Sequence, residues 1–363
     1  MHMHRLAVLL AGAVAALTLA TGSAGARGTA AGQHSGAGIR VLPDLGYGGE
    51  VIGSNARHLF VGGVVDATGA YHPAYWSSGR RRLHVVRTGL PMGELFDVNG
   101  RGEMVGTARS ASGVRRSYVV LGSRLHFLRG LGGSDTAARH LNDRGQIAGF
   151  ATDAGDAHTY AVVWASYRAR PRILHPAAGD VGSTGIAIDP DGDVAGDSDG
   201  PPPAFRFRPA IWVRHLGVRI LPTTTALPSG SVHGLSRGGA AVGEIDRDDF
   251  TLSHAAFWSR SGRLRDLGTL PGHPSSVLLG RAGNGLAVGV ADDLTSGTAP
   301  FVPVLWPGHG RLLELPGLRG GHGQGNAHAI ESDGTAAGTA ADAGGVLRAV
   351  VWVDAPRLAF RPH

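Results

Sequence analysis

Residues 130–164 read GLGGSDTAARHLNDRGQIAGFATDAGDAHTYAVVW, and versions of this stretch recur along most of the 363-residue chain. Its skeleton is a polar residue, a glycine three positions on and a second glycine at position seven. Asn99-Gly102-Gly106, Asn142-Gly145-Gly149, Asp189-Gly192-Gly196 and Ser236-Gly239-Gly243 follow it directly. Asn55-His58-Gly62, Ala282-Gly285-Gly289 and Glu331-Gly334-Gly338 follow it with changes, which makes seven copies. The position-seven glycines stand 44, 43, 47, 47, 46 and 49 residues apart, a period that suits propeller blades and is too long for leucine-rich or hexapeptide coils. All six tryptophans, Trp76, Trp164, Trp212, Trp258, Trp306 and Trp352, fall 14 to 17 residues after such a glycine, and the second copy carries Val119-Val120-Leu121 there. This phasing predicts one packing place for the indole in each unit, between neighbouring units, where a large aromatic buries about 150–250 Å2.

Inside a unit the periods are those of strands. Asn142-Asp143-Arg144-Gly145 is a turn, with Asn able to bond its own backbone and Gly free to take positive φ. Gln146–Ala151 follows as a short strand whose Gly149 marks a close approach of another backbone. A polar loop at Thr152–His158, a strand at Thr159–Ala165 and a last strand at Arg172–His175 complete four strands in about 45 residues. No segment beyond the N-terminus keeps a 3.6-residue period for three turns. The predicted fold is all-β: a seven-bladed β-propeller of four-stranded blades, with an open β-solenoid as the alternative. Blades arranged in a ring leave only short, protected edges. The units run approximately 38–87, 88–129, 130–175, 176–222, 223–270, 271–316 and 317–363, within one domain spanning 38–363. The last-strand motif occurs eight times, at Ile39–Leu42, Leu83–Arg87, Leu125–Leu128, Arg172–Leu174, Val218–Leu221, Arg263–Leu267, Leu312–Leu315 and Arg357–Phe360. One copy is surplus. The simplest resolution has Ile39–Asp44 serving the last blade as its outer strand, with Arg357–His363 trailing or adding a fifth.

Composition sets the outer limits. With 42% hydrophobic and 17% charged residues, the chain is too apolar to be disordered, and 59 glycines with 20 prolines are the punctuation of many turns. The absence of Cys excludes disulfides, thiolate metal sites and thiol nucleophiles. All 34 basic residues are Arg and the formal net charge is +6, but the arginines are spread over every repeat and interleaved with Asp, which argues against a nucleic-acid partner. Residues 1–26 have the layout of a Sec-type secretory signal: Met1–Arg5 as n-region, Leu6–Ala20 as apolar run, and Ala24-Gly25-Ala26 as a cleavage site after Ala26. Residues 27–37 read as a flexible leader. No later stretch is apolar enough for a transmembrane span, so the expected product is a secreted, extracellular monomer.

Three segments carry a family resemblance. Arg265-Asp266-Leu267-Gly268-Thr269-Leu270-Pro271-Gly272, His254-Ala255-Ala256-Phe257-Trp258 and Leu141-Asn142-Asp143-Arg144-Gly145-Gln146-Ile147-Ala148-Gly149 resemble the HAF-type repeat of bacterial extracellular proteins, whose pattern is DLGTLGG, INxxGQVVG and HAFLW. The resemblance spans roughly Ile39 to His363 and is degenerate in places, as in Arg208-Pro209-Ala210-Ile211-Trp212. It implies a secreted, propeller-like protein and supplies no catalytic residues.

Motifs that could carry chemistry coincide with the repeat's own turns. Gly234-Leu235-Ser236-Arg237-Gly238 matches the nucleophile-elbow pattern, but Ser236 sits at the repeat's polar position with a strand to follow, where an elbow needs a helix. Asp189, Asp191 and Asp193 alternate as in a calcium loop, which wants Gly at its sixth and Glu at its twelfth position; Val194 and Gly200 stand there. Whether those carboxylates bind a cation is open at this level. His72, His158 and His254 recur near the Trp strand without zinc-site spacing. Gly320–Gly325 lacks the Lys-Ser/Thr ending of a phosphate loop, and Asp248-Asp249 and Asp292-Asp293 read as loop charge. No catalytic, cofactor-binding or metal residue is assigned, and no cofactor is expected. The functional expectation is a binding scaffold that meets an extracellular glycan or protein through loops such as Asp153–Asp156, Gly200–Pro203 and Arg247–Thr251. The alternative is a lyase or hydrolase working in the central funnel on a polysaccharide or small molecule, which requires Arg, His and carboxylates to converge on the axis.

Overall fold

The computed structural model describes residues 38–77, 82–203, 205–292, 301–321 and 323–359. Within them the chain is almost entirely strand, laid down as four-stranded antiparallel meanders that run from an inner to an outer strand. The first comprises β2 (Gly49–Ser54), β3 (Phe60–Val65), β4 (Tyr71–Trp76) and β5 (Leu83–Val85); the second β6 (Met92–Val98), β7 (Met104–Arg109), β8 (Arg115–Leu121) and β9 (Arg124–Phe127). There follow β10 (Gly132–Leu141), β11 (Ile147–Asp153), β12 (Thr159–Trp164) and β13 (Arg172–Leu174), then β14 (Gly182–Ile188), β15 (Val194–Asp199), β16 (Phe207–Val213) and β17 (Gly217–Ile220). Next come β18 (Ser229–Leu235), β19 (Ala241–Asp246), β20 (Ser253–Trp258) and β21 (Leu264–Asp266), and β22 (Ser275–Arg281), β23 (Ala287–Asp292), β24 (Val302–Trp306) and β25 (Leu313–Glu314). One parallel pairing, Asp135 with Arg115, merges the second and third meanders into an eight-stranded sheet.

The last meander shows where the surplus strand goes. Its β26 (Gly325–Ile330), β27 (Ala336–Ala341) and β28 (Leu347–Val353) are completed by β1 (Gly38–Val41), which pairs antiparallel with β28 from Gly38 opposite Val353 to Val41 opposite Val350. Residues 38–41 therefore leave the unit they occupy in sequence. Leu42, 1% exposed, continues the contact through its N–H to Ala349 O, and Arg348 ties Asp44 to Asp342 at 2.8 Å each. The described part of the C-terminal motif forms no fifth strand: Ala355–Ala359 is a short helix, α1, whose Ala355 N–H meets Gly334 O and whose Leu358 is buried, and residues 360–363 lie outside the described residues. Neighbouring meanders pack face to face in chain order, and the first packs on the last through β2 against β26, β27 and β28.

Both repeat glycines have physical reasons. Gly145 turns with φ 76°, and in the first unit His58 holds the equivalent conformation at φ 55°, leaning on Asp333 at 2.8 Å. Gly149 sits on β11 opposite β10, where a Cβ would stand 1.9 Å from the carbonyl oxygen of Ala137. The same carbonyl blocks a Cβ at Gly62, Gly106, Gly196, Gly243, Gly289 and Gly338, at 1.8–2.1 Å. The approach is this close because every innermost strand carries a register shift just beyond that carbonyl.

The repeat's polar residue does two jobs. Asn142 Oδ1 accepts the N–H groups of Arg144 and Gln146 at 3.1 Å, while Nδ2 donates to Asp189 O of the next unit at 3.0 Å. Asn55 donates likewise to Asn99 O, and Asn99 to Asn142 O, so a belt of amide donors runs from unit to unit. It stops at Asp189, which has no donor in that place: Oδ1 accepts three backbone N–H groups at 2.9 Å, but Oδ2 is buried without a partner and burial raises its pKa. Asp189→Asn should therefore stabilise the fold by about 1 kcal/mol, an amide reaching Ser236 O as its homologues reach theirs. Urea unfolding checks this, and an unchanged or lower midpoint would show that the belt has no gap at Asp189.

The tryptophans pack between meanders as their phasing predicts. Trp76, Trp164, Trp258 and Trp352 are fully buried, with Trp212 and Trp306 at 4% and 2% exposure. Trp164 lies with Val105 and Val119 of the preceding meander as well as Ala138 and Val162 of its own; Trp352 meets Val288 and Leu305 in the same way. Indole Nε1 donates to the chain entering the unit, from Trp76 to Pro43 O, Trp164 to Arg129 O, Trp212 to His175 O, Trp258 to Pro222 O and Trp352 to Pro316 O, at 2.7–2.8 Å. In the second meander Val120 occupies the Trp position, opposite Met104.

Candidate functional site

Antiparallel meanders that start on the inner strand put two kinds of connection at the same end: those between second and third strands, and those leading from an outer strand to the next inner one. Asp153–Asp156, Gly200–Pro203 and Arg247–Thr251 are all of the first kind, so the fold brings the three proposed contact loops to one face. Two of them are tied together, Arg206 holding Asp248 with Nη2 to Oδ2 at 2.8 Å and Phe207 lying 5.5 Å from Phe250. The third is anchored downward, Asp156 Oδ1 accepting the Ser134 N–H at 2.7 Å. Among the described residues the exposed large apolar side chains are Val41, Leu45, Tyr47, Val85, Met92, Val181 and Leu216. All but Leu216 belong to the ends of outer strands, the starts of inner strands or the connections between them, which is this same face.

The innermost strands define an axis. Their bulges leave one unpaired residue each: Ile52, Phe96, Arg139, Ile186, His233, Leu279 and His328. These residues converge. The Arg139 guanidinium lies 4.0 Å over the ring of Phe96 on the adjacent meander, and the charges of Arg139 and His233, from meanders that do not neighbour its own, oppose protonation of His328. Burial is the larger cause, and the His328 pKa falls to about 4. Arg139 is brought down to about 10, again by burial, with Glu94 opposing.

Toward the loop face stand two carboxyl groups. Tyr71 Oη donates to Glu50 Oε1 at 2.5 Å; the ring fits because Gly63 faces it, a Cβ there lying 2.3 Å from its carbon. Burial lifts Glu50 to about 7, with Glu94 adding repulsion and the Tyr71 bond working against the rise. Glu94 is also raised by burial, countered by Arg139, Arg115 and Arg109, and burial pushes the Tyr71 and Tyr118 phenols upward. His233 Nε2 meets Glu244 Oε2 at 2.5 Å, and Ser231 Oγ donates to Asp197 Oδ2 at 2.6 Å. On the opposite side of the bulges His140 pairs with Asp97 at 3.1 Å.

Glu50 makes the fold pH-sensitive in a definite direction. Below pH 4.5 the carboxyl is protonated folded or unfolded; between 4.5 and about 7 only the folded chain keeps the proton, so stability falls as pH rises and levels off above 7. Glu50→Gln, which keeps an oxygen for Tyr71, should remove that slope and leave the variant up to about 3 kcal/mol more stable than the parent at pH 8. Denaturation midpoints at pH 4.5 and 8 measure it, and parallel profiles for the two proteins would refute it.

The motifs singled out in the sequence lie apart from this axis. Ser236 Oγ donates to Ala240 O, closing its own turn. The carboxylates of the Asp189 loop diverge: Asp191 faces Arg144 and Arg237, and Asp193 accepts the Arg214 N–H. Among the described residues no three His, Asp or Glu side chains are grouped to hold a metal ion. His72 and His158 pair with loop carboxylates, Asp66 at 2.6 Å and Asp153 at 3.0 Å, while His254 reaches Asp266 on the outer strand. Asp248 and Asp249 turn to different arginines, Arg206 and Arg247. Asp293 and His322 lie outside the described residues.

The meanders packed in order, with inner strands converging on a common axis, define a β-propeller fold. Solved structures agree. The β-propeller domain of the trilobed protease from Pyrococcus furiosus matches with a TM-score of 0.54 and 11% identity, over 84% of this chain and 95% of that one. A puromycin hydrolase matches with a TM-score of 0.52 and 13% identity, over 81% of this chain; the match spans half the hydrolase's length. At such identities the likeness concerns the fold alone. No family model matches the chain, and no curated protein does. No helix among the described residues is long and apolar enough to cross a membrane.

Proposed function

We propose that this chain is a secreted, seven-bladed propeller of the HAF-type repeat kind that acts as an extracellular binding scaffold, taking a glycan or a protein on its loop face. The observation that carries this reading is the distribution of exposed apolar side chains, six of the seven on that one face, where a folded surface ordinarily avoids clustering them. Tyr47 and Met92, 49% and 45% exposed, are suited to stacking and apolar contact on the face that also carries the tied Arg206–Asp248 loops. Reading each meander as one blade accounts for the count of seven, and pairing of β1 with β28 supports a ring closed between the first and last units.

Binding of purified extracellular polysaccharides and envelope proteins to the immobilised full chain tests the proposal. Tyr47→Ser should weaken any such binding at least tenfold with the melting temperature unchanged. Binding that survives in this variant and is lost instead in Leu216→Ser, on the opposite face, would overturn it. The raised pKa values of Glu50 and Glu94 favour a second reading, a funnel-site hydrolase or lyase; release of new reducing ends or unsaturated sugars from those polysaccharides, abolished in Glu94→Gln, is the result that reading requires.

A further inference from the structure

The axial residues include a cation that no described residue engages by hydrogen bonding. Among the described residues Arg139 makes no hydrogen bond or ion pair; its guanidinium lies over the Phe96 ring, and its Nη1 is buried without an acceptor. A guanidinium has five N–H donors, and leaving buried ones unmet is costly enough that such groups point to a missing acceptor. Glu94 lies within electrostatic reach but hydrogen-bonds Thr107 instead. From another blade His328 brings a second buried nitrogen, Nε2, also without a partner. Three further members of the ring, Ile52, Ile186 and Leu279, are apolar and keep partial exposure although they stand on innermost strands, so the axis is reachable from solvent and offers carbon surface beside the two nitrogens.

We infer that the axis binds a small organic monocarboxylate, its two oxygens received by Arg139 and His328 and its carbon skeleton by Ile52, Ile186 and Leu279. The chemistry favours this class. A carboxylate matches the planar fork of a guanidinium, and one negative charge balances one positive. A dianion such as phosphate would add charge beside Glu94 and Glu50. This site is separate from the loop face and does not depend on it.

Calorimetric titration of the full chain with sodium benzoate, sodium hexanoate, inorganic phosphate and benzyl alcohol reads the inference directly. At least one carboxylate should bind and raise the melting temperature, while phosphate and the neutral alcohol should not. Arg139→Met should weaken carboxylate binding at least tenfold, and its own melting temperature without ligand should equal or exceed the parent's, because an unpaired buried cation has been replaced by an apolar chain of similar length. If Arg139→Met fails to fold, His328→Phe serves, with the same loss expected. Carboxylate binding that persists undiminished in a folded variant, equal binding of the alcohol, or no binding of either carboxylate to the parent would each overturn the inference.

Discussion

Trp164→Ala is expected to lower the free energy of unfolding by about 4–5 kcal/mol. The indole is fully buried in a core cluster that draws Val105 and Val119 from the preceding meander and Ala138, Ile147 and Val162 from its own. Truncating a core aromatic typically costs about 3–5 kcal/mol. Here the loss also strips the partly buried Arg129 O of its indole donor at 2.8 Å. Two rigid sheets meet at this point, so the cavity cannot collapse without shifting a whole unit. Urea unfolding gives the number, and a loss below about 1 kcal/mol would mean the indole does not hold the blades together.

Gly149→Ala adds a single methyl group and should still cost about 3 kcal/mol or more. The new Cβ would meet Ala137 O at 1.9 Å and Ala138 Cα at 3.0 Å, and both belong to backbone, which cannot rotate aside. β10 must move away from β11, and the bulge that follows Ala138 must flatten, taking Arg139 with it. The effect therefore reaches the axis as well as the core. Gly283→Ala is the matched control: the residue is exposed, its φ is not positive, and the nearest atom to its Cβ is Ser332 Oγ at 3.6 Å. Equal destabilisation of the two variants would dissociate the position-seven glycine from close backbone approach.

The fold was legible because its markers answer to backbone and packing constraints repeated in every unit. Gly149 and its equivalents are glycine because a carbonyl occupies the place of a side chain, and Trp164 has an equivalent in every unit but the second because the seam between meanders leaves a large hole there. The strand at Ile39–Leu42 could be paired with the last unit by counting alone. The axial residues were not legible. Arg139, His233 and His328 each stand three positions before the repeat's polar residue, and Glu50 and Glu94 five before it, so a column read down the aligned units would have shown them. No local spacing draws attention to them, because side chains 44 or more residues apart in sequence meet only when the sheets are arranged about an axis. The C-terminal Arg357–Phe360 copies the apolar pattern of an outer strand, but β1 already holds the edge of β28, and Arg357–Ala359 lie in α1 instead.

Residues 38–41 share one sheet with residues 350–353. Thermal unfolding of two truncations, one starting at residue 38 and one at residue 45, tests this most directly. Loss of residues 1–37 should leave the transition of the 38–363 domain in place. Loss of 38–44 as well removes β1, the buried Leu42, the Asp44 partner of Arg348 and the Pro43 O acceptor of Trp76, and should lower the melting temperature by ten degrees or more, on the order of 4–6 kcal/mol at a few degrees per kcal/mol. Coincident transitions for the two truncations would contradict closure of the ring through β1.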